Sequence, residues 1–205
     1  HMANLFTELL EEASQKNIIP ARTLSAREWF REKAEDIVVK DPKSTIIRTS
    51  PSLQTRTLNG FMYTYMYRPK YQDILPFHDR FPLVFPFKRT KLGFYGINLH
   101  YLPLPYRAIL MDNLYKLSMD KNYDDETRLR LSSTILEGSA RFRYYKPCVR
   151  QYLNNHVQTK FALIPSNQWD IALFLPFERF INEAGGRVST QKVHRDSIKK
   201  IRRGI

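Results

Sequence analysis

The run Gly60-Phe61-Met62-Tyr63-Thr64-Tyr65-Met66-Tyr67 constrains the fold of this chain more than any other stretch. Its near-alternation of rings with other side chains has the two-residue period of a strand, and aromatic residues suit a pleated, half-buried surface. A strand so rich in rings needs partners to cover it. Residues 81–88 read as a second strand, interrupted by Pro82 and Pro86. Proline donates nothing to a ladder, so this strand belongs at an edge or carries bulges. Past the turn Arg89-Thr90-Lys91-Leu92-Gly93, residues 94–102 read as a third strand.

Helical periodicity surrounds this centre. Leu5, Phe6, Leu9, Leu10 and Ala13 mark a first helix over residues 4–15. Ser25 stands three residues before Glu28, a capping-box pattern, and opens a second helix with Trp29, Phe30, Lys33, Ala34 and Ile37, ended by Pro42. Residues 40–58, rich in Ser, Thr and Pro, read as a linker. Pro105 suits a helix start, ahead of an apolar face of Ala108, Leu110, Leu114 and Leu117. Asp124-Asp125-Glu126 opens another helix, with Leu129, Ser132, Ile135, Leu136 and Ser139 as its inner stripe. Residues 147–157 read as a third helix of this set, and residues 164–174 fit either a short helix or a strand. The fold class is α+β: a small antiparallel sheet, open or barrel-like, flanked by helices. The chain divides into an N-terminal helical arm and linker (3–58), a core (59–186) and a basic C-terminal tail (187–205).

Charge narrows the partners. The chain has 33 Lys and Arg against 20 Asp and Glu, a net charge of +13. Such an excess favours a polyanion: nucleic acid or an anionic membrane surface. No apolar run approaches the roughly 20 residues needed to span a bilayer. The single cysteine, Cys148, excludes an internal disulfide framework and a cysteine-rich zinc site, which places the chain in a reducing cytosol or in a particle assembled there. His1-Met2 looks like a cloning remnant and is given no functional weight.

Three basic clusters are candidates for DNA contact. In the tail, Lys192, Arg195, Lys199, Lys200, Arg202 and Arg203 are opposed only by Asp196. On a helix Arg195, Lys199 and Arg202 share one face and Lys192 extends it, while Val193 and Ile201 can pack inward. The alternative is a solvated, frayed terminus. The second cluster interleaves Arg141, Arg143, Lys146 and Arg150 with Phe142, Tyr144 and Tyr145. Cations neutralise phosphates while rings stack on exposed bases, a mixture suited to a duplex end. The alternative is that the rings are core. The third is Lys88, Arg89 and Lys91, a basic hairpin tip or simply a solvated turn.

Nothing in the sequence assembles a catalytic centre. His78-Asp79 is adjacent, but neighbours on a strand face opposite sides. His100 and His156 stand at no regular spacing from carboxylates. The acid-x-Lys element of a metal-dependent nuclease is missing, and there is no glycine-rich phosphate loop, HExxH or nucleophile elbow. Lys146 and Arg150 beside Cys148 could lower its pKa, although a small packing role is the commoner one. We therefore expect a binder with no enzymatic activity, no cofactor and no metal.

Several runs carry a resemblance: Pro69-Lys70-Tyr71, Leu75-Pro76, Asp79-Arg80-Phe81-Pro82-Leu83-Val84, the long Gly93-Phe94-Tyr95-Gly96-Ile97-Asn98-Leu99-His100-Tyr101-Leu102-Pro103, Trp169-Asp170-Ile171-Ala172-Leu173-Phe174-Leu175-Pro176 and Arg195-Asp196-Ser197. Over residues 24–205 the chain resembles the DNA end-protector family of T-even-type tailed bacteriophages. The resemblance implies a virion protein of the phage head or neck, bound to the ends of packaged double-stranded DNA and entering the host cytoplasm with the genome. There it would shield the ends from host exonuclease. The resemblance brings no catalytic residues, and its shared runs look structural. Contacts with head or neck proteins and homo-oligomer contacts through the Leu-rich arm remain open. Two other readings compete: a structural head-completion or neck protein, and a DNA-processing nuclease.

Overall fold

The computed structural model describes residues 12, 15–16, 28–29, 32–33, 41, 43–118 and 124–203. Most of the two expected N-terminal helices falls outside the described residues. So do the side chains of Ala108 and Leu117.

Six strands form one sheet in the order β1-β7-β2-β4-β5-β6, with every neighbouring pair antiparallel. They are β1 (Leu53–Gln54), β2 (Met62–Thr64), β4 (Leu83–Arg89), β5 (Gly93–Asn98), β6 (Val149–Leu153) and β7 (Phe161–Ile164). A separate two-stranded ladder pairs β3 (His78–Asp79) with β8 (Phe180–Ile181). The helices are α1 (Leu104–Ser118), α2 (Asp125–Arg141), α3 (Trp169–Phe174) and α4 (Thr190–Arg203). The α+β class holds. The sheet stays open, with β1 and β6 as its edges, so the barrel-like alternative falls away.

The aromatic run organises both faces of the sheet. On one face Tyr63, Tyr65 and Tyr67 gather with Val84, Phe94, Tyr152 and Phe161 into a buried cluster. Tyr65 is the centre of it, edge-on to Phe161 at 4.8 Å and to Tyr152 at 5.7 Å. Such edge-to-face pairs contribute about 0.5–1.5 kcal/mol each beyond area burial. On the other face Met62 joins the main core with Phe85, Ile97, Leu110, Met111, Leu114, Leu136 and Trp169. α1 and α2 pack on that side, and Asp124 caps α2 by accepting from the Thr127 amide at 2.7 Å.

Two local expectations are corrected and one pair of alternatives is decided. Residues 147–157 are not a helix: a short 3-10 turn (Lys146–Cys148) leads into strand β6. Val149, Tyr152 and Leu153 suit helical spacing, and the ladder to β5, with Phe94 opposite Tyr152, overrides it. Of the two alternatives for the proline-bearing strand, the edge falls away and the bulge holds, since β4 is interior and its ladder to β5 is irregular after Pro86. Pro82 precedes the strand, and Pro86 is accommodated because β2 pairs only with Leu83 and Val84 and the ladder to β5 shifts register between Pro86 and Lys88. The stretch read as a linker includes a π-helical turn (Lys43–Ile47), with Ile46 and Ile47 buried, and edge strand β1. The ambiguous run resolves as β7 followed by α3.

Two glycines of the long run permit close strand approach. A Cβ on Gly93 would lie 1.8 Å from the Tyr152 carbonyl oxygen, and one on Gly96 would lie 2.3 Å from Val84 Cγ1.

The shared runs meet at one buried carboxylate. Asp79 Oδ1 accepts from the Phe81 amide at 3.0 Å and the Arg179 amide at 3.1 Å. Oδ2 accepts from Asn98 Nδ2 at 3.1 Å and lies 2.7 Å from His100 Nδ1. Burial raises the carboxyl's pKa, but His100 and the donated hydrogen bonds outweigh it and hold the group below the ordinary value. Asp79→Ala should cost about 3–5 kcal/mol, because four donors lose their acceptor together. Urea denaturation measures this, and an unchanged midpoint would show that the carboxylate is not the staple described.

Candidate nucleic-acid interface

The tail folds as α4, and its sequence pattern explains how it docks. Val193, Ser197 and Ile201 recur every four residues, lie on one face and are buried. The Ser197 hydroxyl donates to the Tyr101 carbonyl at 3.0 Å. At the N-terminus the Ser189 hydroxyl accepts from the Lys192 amide, and Thr190 bonds Glu178 at 2.6 Å. At the C-terminus Arg143 Nε donates to the Ile201 carbonyl at 3.0 Å, a cation where the helix dipole favours one.

Docking by that face turns the opposite one outward. Lys192, Arg195, Lys199, Lys200, Arg202 and Arg203 are all exposed. At about 100° per residue, Arg195, Lys199 and Arg202 form a stripe opposite Val193, Ser197 and Ile201, flanked by Lys192 and Arg203. Lys200 sits near the seam with the body. Among the described residues none of these six cations is in an ion pair with a carboxylate.

The second cluster divides. Arg141, Phe142, Arg143, Tyr144 and Lys146 are exposed, although Arg141 is 3.7 Å from Glu137. Tyr144 stacks on Tyr106 with centroids 5.3 Å apart, and Arg143 lies 5.8 Å from its ring. Tyr145 is buried in the core and its ring is not available to a base. Arg150 turns inward, its guanidinium 4.2 Å from the Tyr101 ring. Cys148 is buried, and burial pushes its thiol up to about 12, against the depression that its basic neighbours suggested. It is a packing residue.

The third cluster stands on the β4–β5 turn, closed by the Thr90 amide on the Gly93 carbonyl at 2.9 Å. Lys88, Arg89 and Lys91 are exposed. Arg89 and Lys91 line a cavity of about 680 Å³ together with Arg56, Lys160, Thr55 and Thr57, and no carboxylate lines it. Lys91 and Asn154 also line a second concavity of about 410 Å³, with Lys70 and His156. Lys70 and Leu153 continue into a third of about 440 Å³, which reaches Arg150 and Lys200. The hairpin tip, the β6 edge and α4 thus border one continuous basic track.

Sequence reasoning did not single out Arg56, Lys70 or Lys160. Arg56 and Lys160 are isolated cations in the chain, and Lys70 stood out only within the Pro69-Lys70-Tyr71 run, not as part of a basic cluster. The track exists only because β6 and the β7 approach bring distant segments together.

Asp79 and His100, candidates for acid–base chemistry by residue type, have side chains 1% and 0% exposed. No cluster of metal-ligating side chains occurs among the described residues, and no described helix is long and apolar enough to cross a membrane.

His194 lies on α4 beside the docked seam, its Nε2 3.0 Å from the His100 carbonyl and 3.4 Å from Arg107 Nη2. Burial, and then the Arg107 charge, lower its pKa from 6.5 to about 4. The folded state thus binds fewer protons than the unfolded state between those values. Its stability contribution is complete above pH 6.5 and declines as the pH falls toward 4.

The family model described as phage T4 terminal DNA protecting protein matches residues 1–197. Lys199, Lys200, Arg202 and Arg203 lie past the end of that match. No curated protein and no solved structure matches the chain.

Lowering the pH from 7 to 4 should destabilise the protein, by about 1–2 kcal/mol through His194 once its partial solvent exposure is allowed for. His194→Gln should flatten that part of the profile in pH-dependent denaturation. A profile identical to wild type would exclude His194 as the source.

Proposed function

The chain belongs to the phage T4 terminal DNA protecting protein family, and from that premise we propose that it binds the ends of linear double-stranded DNA and shields them from exonuclease. The binding is to phosphates and is independent of base sequence. Virion and infected host cytoplasm are the places where such a protein would meet its DNA.

The observation that carries this reading is the unpaired cationic face of α4. Six exposed cations on a docked helix, with no carboxylate partner among the described residues, form a pre-ordered surface for a polyanion. Each phosphate neutralised releases condensed counterions, so affinity comes from charge and falls with salt. The basic track past the β6 edge extends the same surface toward the hairpin tip. Protection then requires occupancy of the terminus and no bond cleavage, which suits a chain whose His–Asp pair is sealed inside as a staple.

The joint substitution of Arg195, Lys199 and Arg202 by Gln should weaken duplex binding and make the salt dependence shallower by up to about 2.7 in log–log slope, at roughly 0.9 per lost contact. Exonuclease digestion of linear duplex in the presence of the protein should accelerate correspondingly. Unchanged slope and unchanged protection would refute the role of α4. DNA cleavage by clean protein with magnesium or manganese would refute the non-enzymatic reading.

A further inference from the structure

We propose that the cavity between the β6 edge and the segment from Pro69 to His78 is a nucleobase site, which takes an unpaired nucleotide at a DNA end. This rests on the end-binding reading above and names what at the end is recognised.

The cavity, about 440 Å³, falls within the roughly 300–1,000 Å³ typical of small-molecule sites. Among the rings of its lining, Tyr101 and Tyr152 are nearly fully buried, with Arg150, Phe77 and Phe94 against their faces, and Tyr71 at the mouth, 58% exposed, is the ring that offers a face to a base. A base has two π-faces, and a ring fixed on one side of a slot stacks on either of them. Arg150 holds a cation inside the lining by lying over Tyr101 at 4.2 Å. Lys70 places its ammonium 5.2 Å from the Tyr71 ring, and Lys200 reaches the lining from α4. Rings for a base and cations for its phosphate therefore share one concavity.

Little in the lining would repel a phosphate. Asp79 is the one carboxylate in the lining, and both its oxygens are occupied by the donors of the staple.

Duplex geometry supplies the selectivity. Bases inside a duplex are paired and stacked, and extracting one costs a few kcal/mol, whereas an overhanging nucleotide is already free. Phosphate contacts along the basic track do not distinguish an end from the interior. A slot that fills only with an unpaired base does.

The test is fluorescence of an adenine analogue that is quenched by stacking, placed at the last position of a single-stranded overhang on a linear duplex. Wild-type protein should quench it and bind the overhang more tightly than a blunt end. Tyr71→Ala should abolish the quench and weaken overhang binding about tenfold or more, the loss of one base–ring stack. Its blunt-duplex affinity and salt slope should stay at wild-type values, which also verifies that the variant is folded, and Tyr71→Trp should restore both overhang signals. If wild type prefers ends but the analogue stays bright, or Tyr71→Ala binds the overhang as tightly as wild type, the base site is overturned while end binding stands. If wild type binds closed-circular and linear DNA equally, the end-binding reading falls and this site with it.

Discussion

A single buried carboxylate joins the parts of this molecule that the sheet alone does not hold. Asp79 sits on the small β3–β8 ladder and accepts from the end of β5, from the turn that follows it and from the backbone at Arg179, a hundred residues away along the chain. A charge taken out of water is costly unless its lone pairs are filled, and here donors fill both oxygens. The consequence is positional. The turn of Leu99–Tyr101 is held in place, and α4 docks on it through the Ser197 bond to the Tyr101 carbonyl and the His194 contact to the His100 carbonyl. Arg107 ties the same turn to α1 and to the end of α3, through the carbonyls of Leu102 and Leu173. The orientation of the basic helix is thus inherited from a neutralised charge in the interior.

That dependence links stability to binding. The cations of α4 oppose one another, and an isolated helix of fourteen residues with so few apolar positions has little reason to persist in water. Burial of Val193 and Ile201, the capping hydroxyls at its start and Arg143 at its end compensate for the repulsion. A polyanion laid across the outer face would add to that compensation, so DNA binding and helix docking should reinforce each other.

Much of the architecture was legible in the residues. The alternating tyrosines marked β2, the Arg89–Gly93 turn marked the hairpin, Asp124 marked the start of α2, and the spacing of Val193 and Ile201 against the cations marked both faces of α4. What escaped was governed by partners remote in sequence. β6 carries a pattern compatible with a helix, and its ladder to β5 overrides it. Tyr145 and Arg150 read as surface groups beside exposed Tyr144, yet the chain turns there and sends one into the core and the other over Tyr101. Asp79 and His100 are separated by twenty-one residues with no motif between them, so nothing local announced their contact.

The sequence by itself determined the charge that a partner must answer and most of the classes of element. A net charge of +13 cannot be hidden by any fold of this size, and side-chain periodicity sets helix or strand wherever no ladder overrides it, as the one to β5 does at β6. Only the tertiary structure decided which cations act together. Arg56, Lys70, Arg89, Lys91, Lys160 and Lys200 come from five separate segments, and they border one track because strand pairing and the docking of α4 bring those segments side by side. The physical reason is range: propensity and periodicity act over a few residues, whereas a surface that meets DNA is assembled by ladders and buried polar contacts that close loops of up to a hundred.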